Sequence, residues 1–136
     1  MISYVDASAA MKLLVDEAES DALAAYMQSP ADEADGADER TLVASWLLHT
    51  ELHCAANRHP GDVDLDSVAV VLDTVSLIDL TRGDLLTAGT LPGQPRSNYA
   101  IHLVVALRIG ADELLTYDAE LAHAAAVAGL PVAQPG

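Results

Sequence analysis

MISYVDASAA, residues 1–10, is the stretch that decides the fold. Residues 2–5 are a short apolar run that stops at Asp6, and helix formers follow at once. Four residues, three of them apolar and without clean alternation, are too few for a helix and read as a buried strand. ASAAMKLLVD (7–16) then reads as a short helix, with Ser8 in its first turn. ADELLTYDAEL, residues 111–121, repeats the arrangement: an apolar run at roughly 113–117, then Asp118, then helix formers. Two strands that each end on a carboxylate call for something positive between them.

The residues between these stretches extend the pattern. EAESDALAAYMQ (17–28) reads as a second helix with Leu23, Tyr26 and Met27 on one side. Its early acids suit the positive end of the helix dipole. Residues 29–40 combine Pro, Gly and five acids with almost no bulky apolar side chain, the composition of an exposed acidic loop. TLVAS (41–45) reads as a strand, and SWLLHTELHCAANR (45–58) as a helix capped by Ser45, with Leu47, Leu48, Leu52, Ala55 and Ala56 on its apolar face. DLDSVAVVLDTV (64–75) is a helix capped by an aspartate, and SLIDL (76–80) a third strand. In TRGDLLTAGT (81–90), Thr81 and Asp84 make a start like a capping box. After the proline loop LPGQPR come SNYAIHLVVALRIG (97–110), a helix stopped by Gly110, the strand and helix of the opening pair, and a short final strand in LPVAQP (130–135). Helical segments separate every pair of successive strands, which argues for an α/β domain with a mainly parallel sheet covered on both faces. At 136 residues the chain suits one domain, 1–136.

Composition narrows the function. With 21 acids against six Lys and Arg, the net charge of -15 repels phosphate backbones and anionic membranes, which argues against a general DNA-coating protein. The single cysteine, Cys54, allows no internal disulfide and points to a reducing compartment. No window has the length of a membrane span, and a cytoplasmic protein is the expectation.

In open α/β sheets, ligands gather beyond the carboxyl ends of the strands, where Asp6 and Asp118 stand. An aspartate between strand and helix also serves as an N-cap, and that reading applies to each of the two. Glu51 is different: it lies mid-helix, three residues from Leu48 and four from Leu47 and Ala55, at the edge of the buried side. An unpaired charge there is costly. Three acids in one crevice raise one another's pKa unless a cation joins them. Oxygen ligands with hydroxyl neighbours suit Mg²⁺, with Mn²⁺ as a substitute. Zn²⁺ is disfavoured: His49 and His53 are four apart, but HTELH is not HExxH. His49, His53, His102 and His123 read as ordinary helix-surface or core-edge histidines.

VDASA, the glutamate-bearing helix LLHTELHCAANR, RSNYAIHLVVAL and LLTYDAEL, in that order, resemble the PIN-domain ribonucleases, and most of all the VapC toxin branch of toxin–antitoxin pairs. The likeness covers nearly the whole chain. It implies a compact three-layer α/β/α sandwich and an endoribonuclease that uses Mg²⁺ or Mn²⁺ and leaves a 5′-phosphate and a 3′-hydroxyl. By position, Asp6, Glu51 and Asp118 are the catalytic, metal-holding acids, and Ser8 and Thr116 the supporting hydroxyls. The family's pattern S-L-D-A-x-H reads SNYAIH here, so Tyr99 stands where an acid is usual. Asn98 is adjacent, but one residue turns a side chain about 100° around a helix. His102, one turn on, could face the same crevice. A neutral phenol is a poor Mg²⁺ ligand, which implies weakened metal affinity.

The resemblance also implies a VapB-type antitoxin, and a homodimer or a hetero-oligomer with that antitoxin. An Arg-rich antitoxin tail suits the acidic surface. The expected substrate is a particular structured RNA, read by shape and loop bases. Lys12 and Arg96 flank the site segments and are the candidate phosphate contacts. The rival expectation is a metal-poor PIN-fold protein, weakly active or inactive, that mainly binds its antitoxin.

Overall fold

The computed structural model describes residues 1–29 and 39–136. Along the chain run β1 (Ile2–Val5), α1 (Ala7–Leu14), α2 (Ser20–Gln28), β2 (Thr41–Ser45), α3 (Trp46–Arg58), α4 (Leu65–Asp73), β3 (Ser76–Ile78), α5 (Arg82–Ala88), α6 (Ser97–Arg108), β4 (Glu113–Leu115), α7 (Ala119–Val127) and β5 (Val132–Ala133). The strands form one sheet in the order β3-β2-β1-β4-β5, and every neighbouring pair is parallel.

Alternation along the strands divides the core into two layers. Val5, Ala44 and Leu115 face one side, where Ala9, Leu23, Leu48, Leu52, Val68 and Val71 cover them. Tyr4, Val43 and Leu114 face the other, under Leu103, Ala106, Leu121 and Ala125. Helices α1–α4 therefore lie on one face and α6 and α7 on the other, the three-layer α/β/α sandwich expected of a PIN-like fold. Val, Leu and Ala fill the core without a single Phe, which keeps the layers close.

Several boundaries differ from the sequence reading. The second helix starts at Ser20 rather than residue 17, and the third and fourth strands stop at Ile78 and Leu115. Asp64 sits at the N-cap of α4, but its side chain makes no capping bond to the backbone and instead accepts from Ser67 Oγ at 3.2 Å. Most of the acidic loop expected over 29–40 lies outside the described residues. Thr81 and Asp84 do form a capping box, with bonds of 3.0 Å and 2.9 Å. Gly110 has φ +71, the left-handed conformation that ends a helix at low cost.

β1 lies at the centre of the sheet. After β3 the chain crosses back over it to place β4 on its other side. This reversal is a topological switch point, and it opens a crevice at the carboxyl ends of β1 and β4.

Candidate active site

Register brings the first two groups together. Val5 pairs with Leu115, so the next residues, Asp6 and Thr116, meet at the switch point. Thr116 Oγ1 donates to Asp6 Oδ2 at 2.5 Å. Ser8 Oγ donates to the same carboxylate at 2.8 Å and 3.0 Å and itself accepts from Tyr117 N at 2.8 Å. Asp6 also caps α1, accepting from Ala9 N at 2.9 Å. The carboxylate is only 1% exposed. Burial pushes its pKa up, opposed by the Thr116, Ala9 and Ser8 hydrogen bonds and by His102.

Asp118 lies three residues beyond the end of β4 and caps α7, with Leu121 N donating to Oδ1 at 2.9 Å. The N-cap reading thus holds for both aspartates, and it leaves an oxygen of Asp118 for another partner. That partner is Tyr99: its hydroxyl donates to Asp118 Oδ2 at 2.8 Å. This hydrogen bond, and then burial, pushes the Tyr99 hydroxyl up to about 12.

Glu51 reaches from α3 to α6. Its Oε1 lies 2.5 Å from His102 Nε2, and Oε2 lies 3.5 Å from Asn98 Nδ2. Asn98, Tyr99 and His102 stand one and four residues apart on α6, so a single helix serves both Glu51 and Asp118.

His102 settles the choice between a helix-surface and a core-edge histidine. It is a 1%-exposed core residue, not a surface histidine, and its Nδ1 lies 2.7 Å from the Tyr4 hydroxyl. Tyr4, 0% exposed in the central strand, accepts from Ser45 N at 3.0 Å. With the proton on Nε2, each group donates to the next: Ser45 N–H to Tyr4, Tyr4 to His102, His102 to Glu51. Burial, the largest influence, raises the pKa of Tyr4 and keeps the phenol protonated as a donor. Nothing in an apolar run marks Tyr4 for this role. For His102 the signal was its place one helical turn after Tyr99.

The two candidate phosphate contacts differ. Lys12 Nζ is bound to Glu17 at 2.8 Å and Glu19 at 2.9 Å and sits 4.7 Å from the Tyr117 ring centre, so its charge is offset within the chain. Arg96 lies at the N-cap of α6 with 78% of its side chain exposed, beside Glu120 at 3.3 Å. Arg40 is buried against Glu113 at 3.2 Å and over the Tyr26 ring, at the opposite end of the strands.

The acids singled out in the sequence and the two hydroxyls beside Asp6 offer oxygen donors, the hard chemistry that suits Mg²⁺ or Mn²⁺. Among the described residues, no three His, Cys, Asp or Glu side chains are grouped closely enough to hold one ion as they stand. Each acid is instead met by donors from the protein itself.

The chain is 36% identical to Ribonuclease VapC46 of Mycobacterium tuberculosis (strain ATCC 25618 / H37Rv), over 97% of this chain and 96% of that protein. It is 33% identical to Ribonuclease VapC35 of the same species, over 98% of this chain and 96% of the relative. Ribonuclease VapC47, also from that species, is 29% identical over 98% and 96%. No family model matches the chain.

Proposed function

We propose that this chain, which belongs to the VapC ribonuclease family, is a divalent-metal-dependent endoribonuclease toxin that cuts a structured RNA and is neutralised by a VapB-type antitoxin. The observation that carries the reading is the meeting of Asp6 with Thr116 and Ser8 at the switch point, with Asp118 on the adjoining turn. Asp6, Glu51 and Asp118 would hold Mg²⁺ or Mn²⁺. When bound, such an ion supplies a polarised phosphoryl oxygen and a water of lowered pKa for in-line attack.

The chain's own groups do the orienting. Ser8 and Thr116 fix both oxygens of Asp6, and the Tyr4–His102 pair sets the direction of Glu51. Arg96 is the exposed cation best placed to receive a phosphate near the site. The acidic surface favours an Arg-rich antitoxin segment, whose guanidinium groups can pair with these carboxylates. Leu85 and Leu86 on α5 and Leu107 on α6 are 53%, 68% and 39% exposed, which supports assembly as a dimer or with the antitoxin. No described helix is long and apolar enough to cross a membrane. A cytoplasmic location goes with an RNA substrate.

One observation favours the second reading, a metal-poor module that mainly binds antitoxin: Tyr99 already holds the free oxygen of Asp118. Cleavage of a structured RNA panel with Mn²⁺ or with EDTA separates the two. The nuclease reading expects cutting with Mn²⁺, none with EDTA, and a drop of at least about 100-fold in Asp6→Asn. Absence of cleavage at saturating Mn²⁺ leaves the module.

A further inference from the structure

Asp118 has two oxygens and two donors. Oδ1 is committed to Leu121 N and so to the start of α7. Only Oδ2 can turn to a new partner without weakening that helix, and Oδ2 is the atom Tyr99 holds at 2.8 Å. Both side chains are partly exposed, so the bond can open without disturbing the buried layers. We propose that Tyr99 is a latch: its hydroxyl occupies the Asp118 oxygen that a divalent cation would take, and cation entry requires this hydrogen bond to open. The inference rests on the metal-dependent reading above and gives Tyr99 an active role in it.

A latch differs from a missing ligand. If Tyr99 merely fails to supply a carboxylate, removing its hydroxyl changes nothing, because a phenylalanine ligates no worse than a neutral phenol. If the hydroxyl competes with the cation, removing it must improve binding. The competitor is a strong one, because a hydrogen bond to a carboxylate is shorter and firmer than one between neutral groups. A phenol stays protonated, and so a donor, throughout the neutral range. Asn98 and His102 on the same helix answer Glu51 in the same way, so α6 supplies donors to two of the three acids where a cation would otherwise stand.

The test is Mn²⁺ binding to the full chain, read by calorimetry, for wild type, Asp6→Asn, Tyr99→Phe, Asp118→Asn and the Tyr99→Phe/Asp118→Asn double variant. The latch expects Tyr99→Phe to bind roughly three- to tenfold more tightly, the gain from deleting one charge-assisted competitor. It also expects that gain to vanish in the Asp118→Asn background, since the hydroxyl then has no carboxylate to block. In wild type, saturating Mg²⁺ should shift the Tyr99 ring-carbon NMR signal toward that of an unbonded phenol. Equal or weaker binding by Tyr99→Phe overturns the latch, as does a gain that persists without the Asp118 carboxylate. Mn²⁺ binding that neither Asp6→Asn nor Asp118→Asn alters, or no binding by any form, overturns the metal-dependent reading itself and the latch with it. Matching circular dichroism of wild type and Tyr99→Phe excludes a folding defect as the cause of any change.

Discussion

Replacing Tyr4 with phenylalanine deletes one oxygen that serves two bonds. That oxygen accepts from Ser45 N at 3.0 Å and meets His102 Nδ1 at 2.7 Å, in a place with no solvent to take over either role. The ring remains, so the layer under α6 keeps its packing. Depriving a buried polar group of its partner costs about 1–3 kcal/mol, and here two groups are deprived. The folded state no longer has to desolvate a hydroxyl, which offsets part of the loss and leaves about 2 kcal/mol net. For a chain of this length that is a fall in Tm of roughly 6–10 °C. Urea unfolding at pH 7 in EDTA, followed by circular dichroism, should show a lower midpoint with an unchanged slope. A double-mutant cycle with His102→Ala should give a coupling of about 1 kcal/mol or more. A Tyr4→Phe protein within about 0.5 kcal/mol of wild type, with no coupling to His102, would refute the buried relay as a stabilising unit.

Two further outcomes follow from groups away from the crevice. Burial pushes the Asp84 carboxyl up, but Arg108, at 2.7 Å, and the Thr81 bonds outweigh it and hold the carboxyl below its ordinary value of 3.8. A depressed folded-state pKa adds stability above the unfolded value, and the gain is lost as pH falls through the folded one. Arg108→Ala should therefore be less stable than wild type at pH 7, and the gap should narrow in urea titrations taken below pH 3.8; a gap independent of pH counts against the pair. Gly110 has φ +71 and open space where a Cβ would point, so Gly110→Ala should cost about 1 kcal/mol through the backbone alone. Gly110→Asn should cost less by the same unfolding measurement, because Asn tolerates this conformation better.

Local chemistry made the elements legible. The apolar run at residues 2–5, the Ser45 cap and the Thr81–Asp84 box each carry their signal within a few residues, and all three stand where that signal puts them. The aspartates were legible for the same reason, since a strand–aspartate–helix sequence specifies a cap whatever else the carboxylate does. Tertiary partners were not. The Tyr4–His102 contact joins residues 98 apart, and neither a tyrosine in an apolar strand nor a histidine in an apolar helix announces a polar partner. Tyr99 could be recognised as the wrong residue for a ligand, but its bond to Asp118 depends on how α6 packs against the turn before α7. Lys12 looked like a phosphate contact because the acids that bind it, Glu17 and Glu19, lie beyond the helix that bears it.

The placement of β1 in the middle of the sheet has a consequence for synthesis. β1 needs neighbours on both sides, and one of them, β4, is made only after β2 and β3. The Thr116–Asp6 bond spans 110 positions, and Asp118 is translated later still. A partly made chain therefore carries Asp6 and Glu51 without Thr116 and Asp118, and a product ending before β4 lacks the meeting of Asp6 with Thr116 altogether. Assembly of the proposed centre therefore waits on β4 and the turn after it, whatever part of the chain has already folded.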